Sequence, residues 1–269
     1  MNIDVIILGF VQGFTEFLPV SSSGHLALAK IFLGIELPPL NYDLVLHVST
    51  TLATILFFCT DIFTFLAQWC AGFTNAEARK KTGWHIGWAV IVGTIITGVI
   101  GFALKNFAEE ASLNSLMVGI GLVVTGILLV ASRWIREGYG RVALMDGVYV
   151  GIAQGLAVMP GISRSGMTIM AGLAAGLSKE SAFRFSFLLS IPAIIGATLI
   201  QALEIGGWHN FASTLPPGWF FGAVCAFASG LLSLFILKKL VIASKWWFFG
   251  IYCLIAGLSA IGVTYLGAW

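Results

Sequence analysis

Charge is what this sequence has least of. Only 10% of its 269 residues are Asp, Glu, Lys or Arg, whereas 58% are hydrophobic, and the mean hydropathy is +0.97. A soluble domain is about half apolar and about a quarter charged. So little polar surface excludes a water-soluble globule and makes lipid the solvent. Cysteine is scarce too. The four present, Cys59, Cys70, Cys225 and Cys253, lie in or beside apolar stretches with no CxxC pair, which points to packing rather than disulfides. No Lys or Arg precedes Lys30, and Asp4 stands near the start, so the positive n-region of a cleaved signal peptide is lacking and none is expected. Low-complexity stretches are missing, and the longest polar stretches are too short to fold alone.

What the chain does have is long apolar runs. A membrane span takes roughly 20 such residues, and windows near 42–69, 85–104, 115–132, 182–203, 219–237 and 246–267 qualify. They predict an all-α integral membrane protein with about six transmembrane helices in a single domain, 1–269. Residues 3–18 are apolar but interrupted by Gln12 and Glu16, too short and too polar for a plain span.

The net charge of +2 says less than where the cations lie. Arg79, Lys80 and Lys81, then Arg133, Arg136 and Arg141, then Lys179 and Arg184, then Lys238, Lys239 and Lys245 fall in connections that share one face, which the positive-inside rule makes cytoplasmic. Lys105 with Glu109 and Glu110, and Glu204 with His209, fall in the alternate connections. Trp69, Trp84, Trp134, Trp219, Trp246 and Trp247 lie near span ends, as interfacial anchors do.

One motif occurs twice at a constant offset of 142 residues. Asp4, Gly9, Gln12, Gly13, Ser21, Ser23 and Gly24 match Asp146, Gly151, Gln154, Gly155, Ser163, Ser165 and Gly166. The three spans between the copies place them on opposite faces, which predicts an inverted-topology repeat: repeat 1 over about 1–135, repeat 2 over about 142–269. Pro19 and Pro160 interrupt helices, and Gly24, Gly161 and Gly166 permit tight loops. Each copy therefore reads as a re-entrant helix–loop–helix hairpin, 3–35 entering from outside and 146–177 from the cytoplasm, with tips that meet. Helix caps and close helix packing would explain the Asp, Ser and Gly residues. They would not explain Glu16, His25 and Arg164 in the same short tips, because ionisable groups at membrane depth are costly.

Gln12 and Glu16, four apart, share a helix face. With Ser21, Ser22, Ser23, Gly24 and His25 from one tip, and Gly161, Ser163, Arg164, Ser165, Gly166 and Thr168 from the other, the set suits a phosphate group. Helix N-termini and glycine-rich nests offer N–H donors to anions. Arginine adds a planar fork, and histidine transfers protons near neutral pH. A carboxylate would repel a diphosphate unless it binds a cation or a proton, so Mg²⁺ or Ca²⁺ on Glu16 and Gln12 is an expectation. His47, in an apolar run, reads as a satisfied buried histidine, and Arg184 as snorkelling to the cytoplasm.

The strings Gln12-Gly-Phe-Thr-Glu16-Phe-Leu-Pro-Val-Ser-Ser-Ser-Gly-His25 and Pro160-Gly-Ile-Ser-Arg-Ser-Gly-Met-Thr168 resemble the two signature motifs of the bacterial undecaprenyl-diphosphate phosphatase family, also known as the bacitracin-resistance family. Glu180–Pro192 resembles the family's stretch after the second motif. The family's leading position takes Glu or Gln; Gln12 here weakens a two-carboxylate metal site. The resemblance implies an inner-membrane enzyme that removes the terminal phosphate of undecaprenyl diphosphate, with its site open to the periplasm. It recycles the carrier lipid for cell-wall synthesis and confers bacitracin resistance. Carried over by motif position, Glu16, Ser22, His25 and Arg164 are the catalytic set. In the expected mechanism Arg164 and the tip amides bind the diphosphate, and Ser22 or a water attacks. His25 moves the proton, and Glu16 orients His25 or holds a metal. The rival is a lipid-phosphate flippase using the same inverted-repeat anion site. Expected partners are the polyprenyl diphosphate and the bilayer, not nucleic acid. Gly87, Gly93, Gly98 and Gly101 allow close packing within the chain or in a homodimer.

Overall fold

The computed structural model describes residues 3–26, 40–136, 138, 140–204 and 215–265. These form helices α1 (Ile3–Phe17), α2 (Leu40–Phe57), α3 (Cys59–Gly72), α4 (Thr82–Ser112), α5 (Ser115–Ala131), α6 (Leu144–Leu156), α7 (Arg164–Ala174), α8 (Lys179–Glu204), α9 (Trp219–Ile242) and α10 (Phe248–Tyr265). The protein is an all-α membrane protein: α4, α5, α8 and α9 are each long and apolar enough to cross a bilayer. Large apolar side chains such as Ile95, Val99 and Phe102 on α4 and Phe220 and Phe221 on α9 are exposed, as befits lipid-facing surfaces.

The window 42–69 is not one straight span. It breaks between α2 and α3 with a 71° bend. The break follows a run of hydroxyls, Ser49, Thr50, Thr51 and Thr54, each bonded to a carbonyl three or four residues back, an arrangement that bends helices. Beyond it, Asp61 is held by Arg184 of α8 at 3.3 Å. Arg184 thus ties α8 to α3, and also pairs with Glu180, so its charge is spent on intramolecular pairs rather than only on reaching the interface. The expected last span, 246–267, is described only as α10, whose apolar stretch is 248–264.

The motif copies form short helices, α1 of 15 residues, α6 of 13 and α7 of 11. At 1.5 Å per residue none crosses a bilayer core of about 30 Å. The second hairpin is described throughout: α6, the turn 157–163, then α7. In the first, α1 runs into the turn 18–21 and a new helix begins at Ser22; the part of the expected hairpin beyond Leu26 lies outside the described residues, as do Lys30 and His209.

Packing pairs the two halves. The entry helix α1 lies along α9, and α6 lies along α4, while α5 packs on α10. Matching glycines permit this. A Cβ on Gly9 would overlap Gly222 O of α9, and one on Gly151 would meet Gly93 O of α4 at 2.7 Å. Backbones this close need residues without side chains. Hydroxyls of the clasping helices complete each contact: Ser233 donates to Gly13 O at 3.0 Å, and Thr97 to Gly151 O at 3.1 Å. Gly87 and Gly93 are likewise used within the chain, against Trp69 and Leu189, whereas Gly98 faces open space.

Candidate active site

The tips meet around one buried carboxylate. Glu16, in the last turn of α1, has a side chain 1% exposed, and Arg164, first residue of α7, reaches one of its oxygens. The backbones are close as well, since a Cβ on Gly166 would lie 3.4 Å from Pro19 Cβ. The other oxygen, Oε2, accepts from Ser22 Oγ at 2.7 Å and from Gln12 Nε2 at 2.9 Å. An unpaired carboxylate this deeply buried would cost several kcal/mol; here a guanidinium, a hydroxyl and an amide share its charge.

Each tip is shaped by its own sequence. Ser21 has φ +70°, a left-handed conformation unfavourable for a residue with a side chain. It reverses the chain so that the following helix starts with Ser22 aimed back at Glu16. In the second tip Gly161 has φ +81°, and a Cβ there would overlap Val118 O of α5. Thr125 of α5 pins this turn, donating to Gly161 O at 3.0 Å and accepting from Ser163 N at 3.0 Å. Gly161 therefore seats the tip on α5, with its own Cβ direction filled by backbone. Ser163 caps α7 by accepting from Gly166 N at 3.2 Å, which presents Arg164 at the positive end of the helix.

The other expected anion-binding hydroxyls divide. Ser21 and Ser23 pair at 3.3 Å, and Ser163 and Ser165 pair at 3.2 Å, the same contact in both copies. Thr168 is engaged with Arg164 O, Ser165 O and Ser186 Oγ, the last at 2.5 Å. A Cβ on Gly24 would make ordinary contact with Val118.

His25 is placed elsewhere. Its Nδ1 lies 2.8 Å from Ser21 O and its Nε2 2.5 Å from Tyr252 Oη on α10, against which the ring stacks. None of its contacts joins it to Glu16, Ser22 or Arg164 among the described residues. The expected Glu16–His25 pair is not formed, because the turn into the helix after Ser21 points residue 25 toward α10 and residue 22 toward α1.

Sequence reasoning set His47 apart as a buried core histidine; its side chain is 38% exposed and sits at the site. Its Nδ1 lies 3.2 Å from Gln12 Nε2 and 3.7 Å from Glu16 Oε2. The sequence signal was a polar residue at helical spacing from Asp43 within an apolar run. Ser186 and Ser190 of α8 were also passed over. With Glu16, Phe17, Arg164, Ser165, Thr168 and Phe187 they line a small crevice beneath the ion pair. Their signal was two small polar residues four apart inside a span. Tyr252 carried no such signal.

A divalent cation here would need free oxygen ligands. Both oxygens of Glu16 are taken by donors, and Arg164 occupies the position a cation would need. Gln12 Oε1 is buried without a partner among the described residues, which leaves one spare oxygen. Magnesium and calcium take about six or more. Among the described residues no three His, Cys, Asp or Glu side chains gather as a metal cluster. Gln12 and Glu16, so arranged, do not fit a resident divalent cation.

Short helices that turn at their tips bring a carboxylate, a hydroxyl and a guanidinium together within a lipid-facing bundle, which makes this a polytopic membrane protein with a buried polar cluster where its two motifs meet. Residues 5–259 match the model of the family described as "Bacitracin resistance protein BacA", and the chain belongs to that family. It is similar to proteins named undecaprenyl-diphosphatase. One from Methanosphaera stadtmanae is 41% identical, covering 96% of each chain. One from Syntrophotalea carbinolica is 40% identical over 94% of this chain and 95% of its own. Undecaprenyl-diphosphatase 1 of Shouchella clausii is 35% identical over 95% and 94%.

Proposed function

We propose that this protein is an enzyme that hydrolyses the terminal phosphate of undecaprenyl diphosphate, giving undecaprenyl phosphate and inorganic phosphate, at the Glu16–Ser22–Arg164 cluster. This activity serves carrier-lipid recycling for peptidoglycan synthesis and bacitracin resistance. The observation that carries the reading is the Ser22 hydroxyl donating to the buried Glu16 carboxylate, with Arg164 on the carboxylate's other oxygen. A hydroxyl beside a base, with a cation next to both, is the equipment for phosphoryl transfer. A flippase would need the cation but no such hydroxyl–carboxylate pair, and the relatives are named for diphosphatase activity.

In the proposed reaction the diphosphate draws the guanidinium of Arg164 partly away from Glu16. Ser22 Oγ attacks the outer phosphorus, its proton passes to Glu16 Oε2, and the bond from that phosphorus to the bridging oxygen breaks, releasing the lipid monophosphate. Glu16 releases that proton to solvent as the monophosphate departs. Water then attacks the phosphorus of the phosphorylated serine, giving a proton to Glu16, and phosphate leaves as Glu16 passes this proton to Ser22 Oγ. His25 is proposed to act after leaving Tyr252, as a proton donor to the leaving monophosphate. Ser165, Thr168, Ser186 and Ser190 line the narrow crevice beside the ion pair. Ser165 is proposed to turn from Ser163 to a phosphate oxygen, while Thr168 and Ser190 stay bonded to carbonyls of their own helices. A divalent cation, Mg²⁺ or Ca²⁺, is proposed as a companion of the diphosphate rather than a resident of the Gln12–Glu16 pair.

The finer placement is proposed on charge. Arg133, Lys179 and Ser244 line one crevice of about 200 Å³ with Trp246 and Trp247, and Arg133 lies over the Trp247 ring at 4.4 Å. This gathering of cations and aromatics supports a cytoplasmic face there, in the cytoplasmic (inner) membrane, with the reactive centre opening to the periplasm. Homodimerisation is proposed through the exposed α4 face around Gly98, with cross-linking in membranes as its test.

The decisive experiment is phosphate release by purified protein from undecaprenyl diphosphate in detergent or liposomes, with and without chelator, for wild type and Ser22→Ala. Release by wild type is expected. Lipid movement across liposomes without release would establish the flippase instead, and full activity in Ser22→Ala would move the attack to water.

A further inference from the structure

We propose that His47 is a positioning residue of the reactive centre, acting through Gln12 on Glu16; this rests on the phosphatase reading above. The amide of Gln12 is completely buried and lies between two acceptors. One hydrogen of its Nε2 goes to Glu16 Oε2 at 2.9 Å, and the other has His47 Nδ1 at 3.2 Å. The opposite amide orientation is unfavourable, because it would set a carbonyl oxygen against a carboxylate oxygen with no proton between them. At 3.7 Å the imidazole is too far from Glu16 Oε2 for a direct hydrogen bond. It accepts from the amide, which fixes Nδ1 as the unprotonated ring nitrogen.

The result is a chain in which His47 Nδ1 accepts from Gln12, Gln12 donates to Glu16 Oε2, and Ser22 donates to that same oxygen. His47 itself is held by its helix. Its carbonyl accepts from Thr50 Oγ1 at 3.0 Å and from Thr51 Oγ1 at 2.7 Å. Without His47 the amide could rotate, releasing Oε2 to turn away from Ser22. The carboxylate would remain paired to Arg164, so phosphate binding would persist while proton removal from Ser22 suffered. The effect belongs in kcat and not in KM, in line with the cost of a small misplacement in a preorganised site.

The test is steady-state kinetics of the full-length protein on undecaprenyl diphosphate in detergent, with thermal melting as a folding control. His47→Ala is expected to lower kcat about 10- to 100-fold with KM within about twofold. His47→Gln, whose side-chain carbonyl can accept from the same amide, is expected to restore most of the rate. Gln12→Ala combined with His47→Ala should lose no more than Gln12→Ala alone, since both act along one chain of contacts. Should His47→Ala not purify folded, His47→Leu, closer in volume, carries the same comparison. Losses that multiply in the double variant, a His47→Gln variant as slow as His47→Ala, or a loss confined to KM would overturn the proposal. A wild type that releases no phosphate would overturn this proposal together with the phosphatase reading, whereas an active wild type with unaffected His47 variants would overturn this one alone.

Discussion

Gln12 and Gln154 occupy the same register of the repeated motif, on helices of matching packing, and both are buried with their carbonyl oxygen unpartnered among the described residues. Their amides do different things. Gln12 holds Glu16 and faces His47. Gln154 donates to Thr97 Oγ1 at 3.2 Å and lies 3.5 Å from Leu189 O, three residues before Pro192. Gln154 thus ties the motif helix to α4 and α8. The same side chain in the same fold position touches the buried carboxylate and a histidine in one hairpin and only a threonine and a helix carbonyl in the other. What differs is one turn further on, where Glu16 stands opposite Val158 in the repeat.

The largest effect that tests this contrast is at the carboxylate. Glu16→Gln removes the acceptor for the Ser22 proton and leaves the Arg164 charge uncompensated; phosphate release is expected to fall about 10³-fold or more. Ser22→Ala should fall comparably if the hydroxyl is the nucleophile. Measuring both rates checks the shared role; a Glu16→Gln variant with near-normal turnover would remove the base from the mechanism.

Arg164→Lys comes next. The charge is kept but the planar fork is not. A point cation at this depth cannot hold Glu16 and two phosphate oxygens in one plane, so kcat/KM should drop by about 10²-fold. Retention of near-full activity would reduce Arg164 to a charge-neutralising clamp between hairpins.

Much of this was legible before the fold. Composition alone required lipid as solvent, and the 142-residue offset picked out the two tips and the expectation that they meet. The pair Glu16–Arg164 through which they meet was not among the expectations, which set Glu16 on His25 or a metal and Arg164 on the diphosphate. The rest depended on directions that periodicity does not carry. His25 and Ser22 are three apart, yet the turn at Ser21 sends one to α10 and the other to α1. His47 is 31 residues from Glu16 in sequence and meets it only because α2 packs beside α1. The bend after Phe57 had no Pro or Gly to announce it; it follows hydroxyls that turn back on their own helix.

The smallest effects sharpen the comparison most directly. Gln154→Leu replaces an amide that has no hydrogen bond to Glu16 by an apolar group. It should leave kcat and KM within about twofold of wild type while lowering the melting temperature, because Thr97 Oγ1 and the Leu189 carbonyl lose their buried donor at about 1–3 kcal/mol. Gln12→Leu should do the reverse in kind: a drop in kcat of at least about tenfold, with melting shifted by no more than Gln154→Leu shifts it, since Glu16 retains Arg164 and Ser22. The paired measurement, rate and melting temperature for both variants, separates the two roles. If both variants lost rate alike and melted alike, the two glutamines would share one function, and the asymmetry between the hairpins would lie in the arginine and the carboxylate alone.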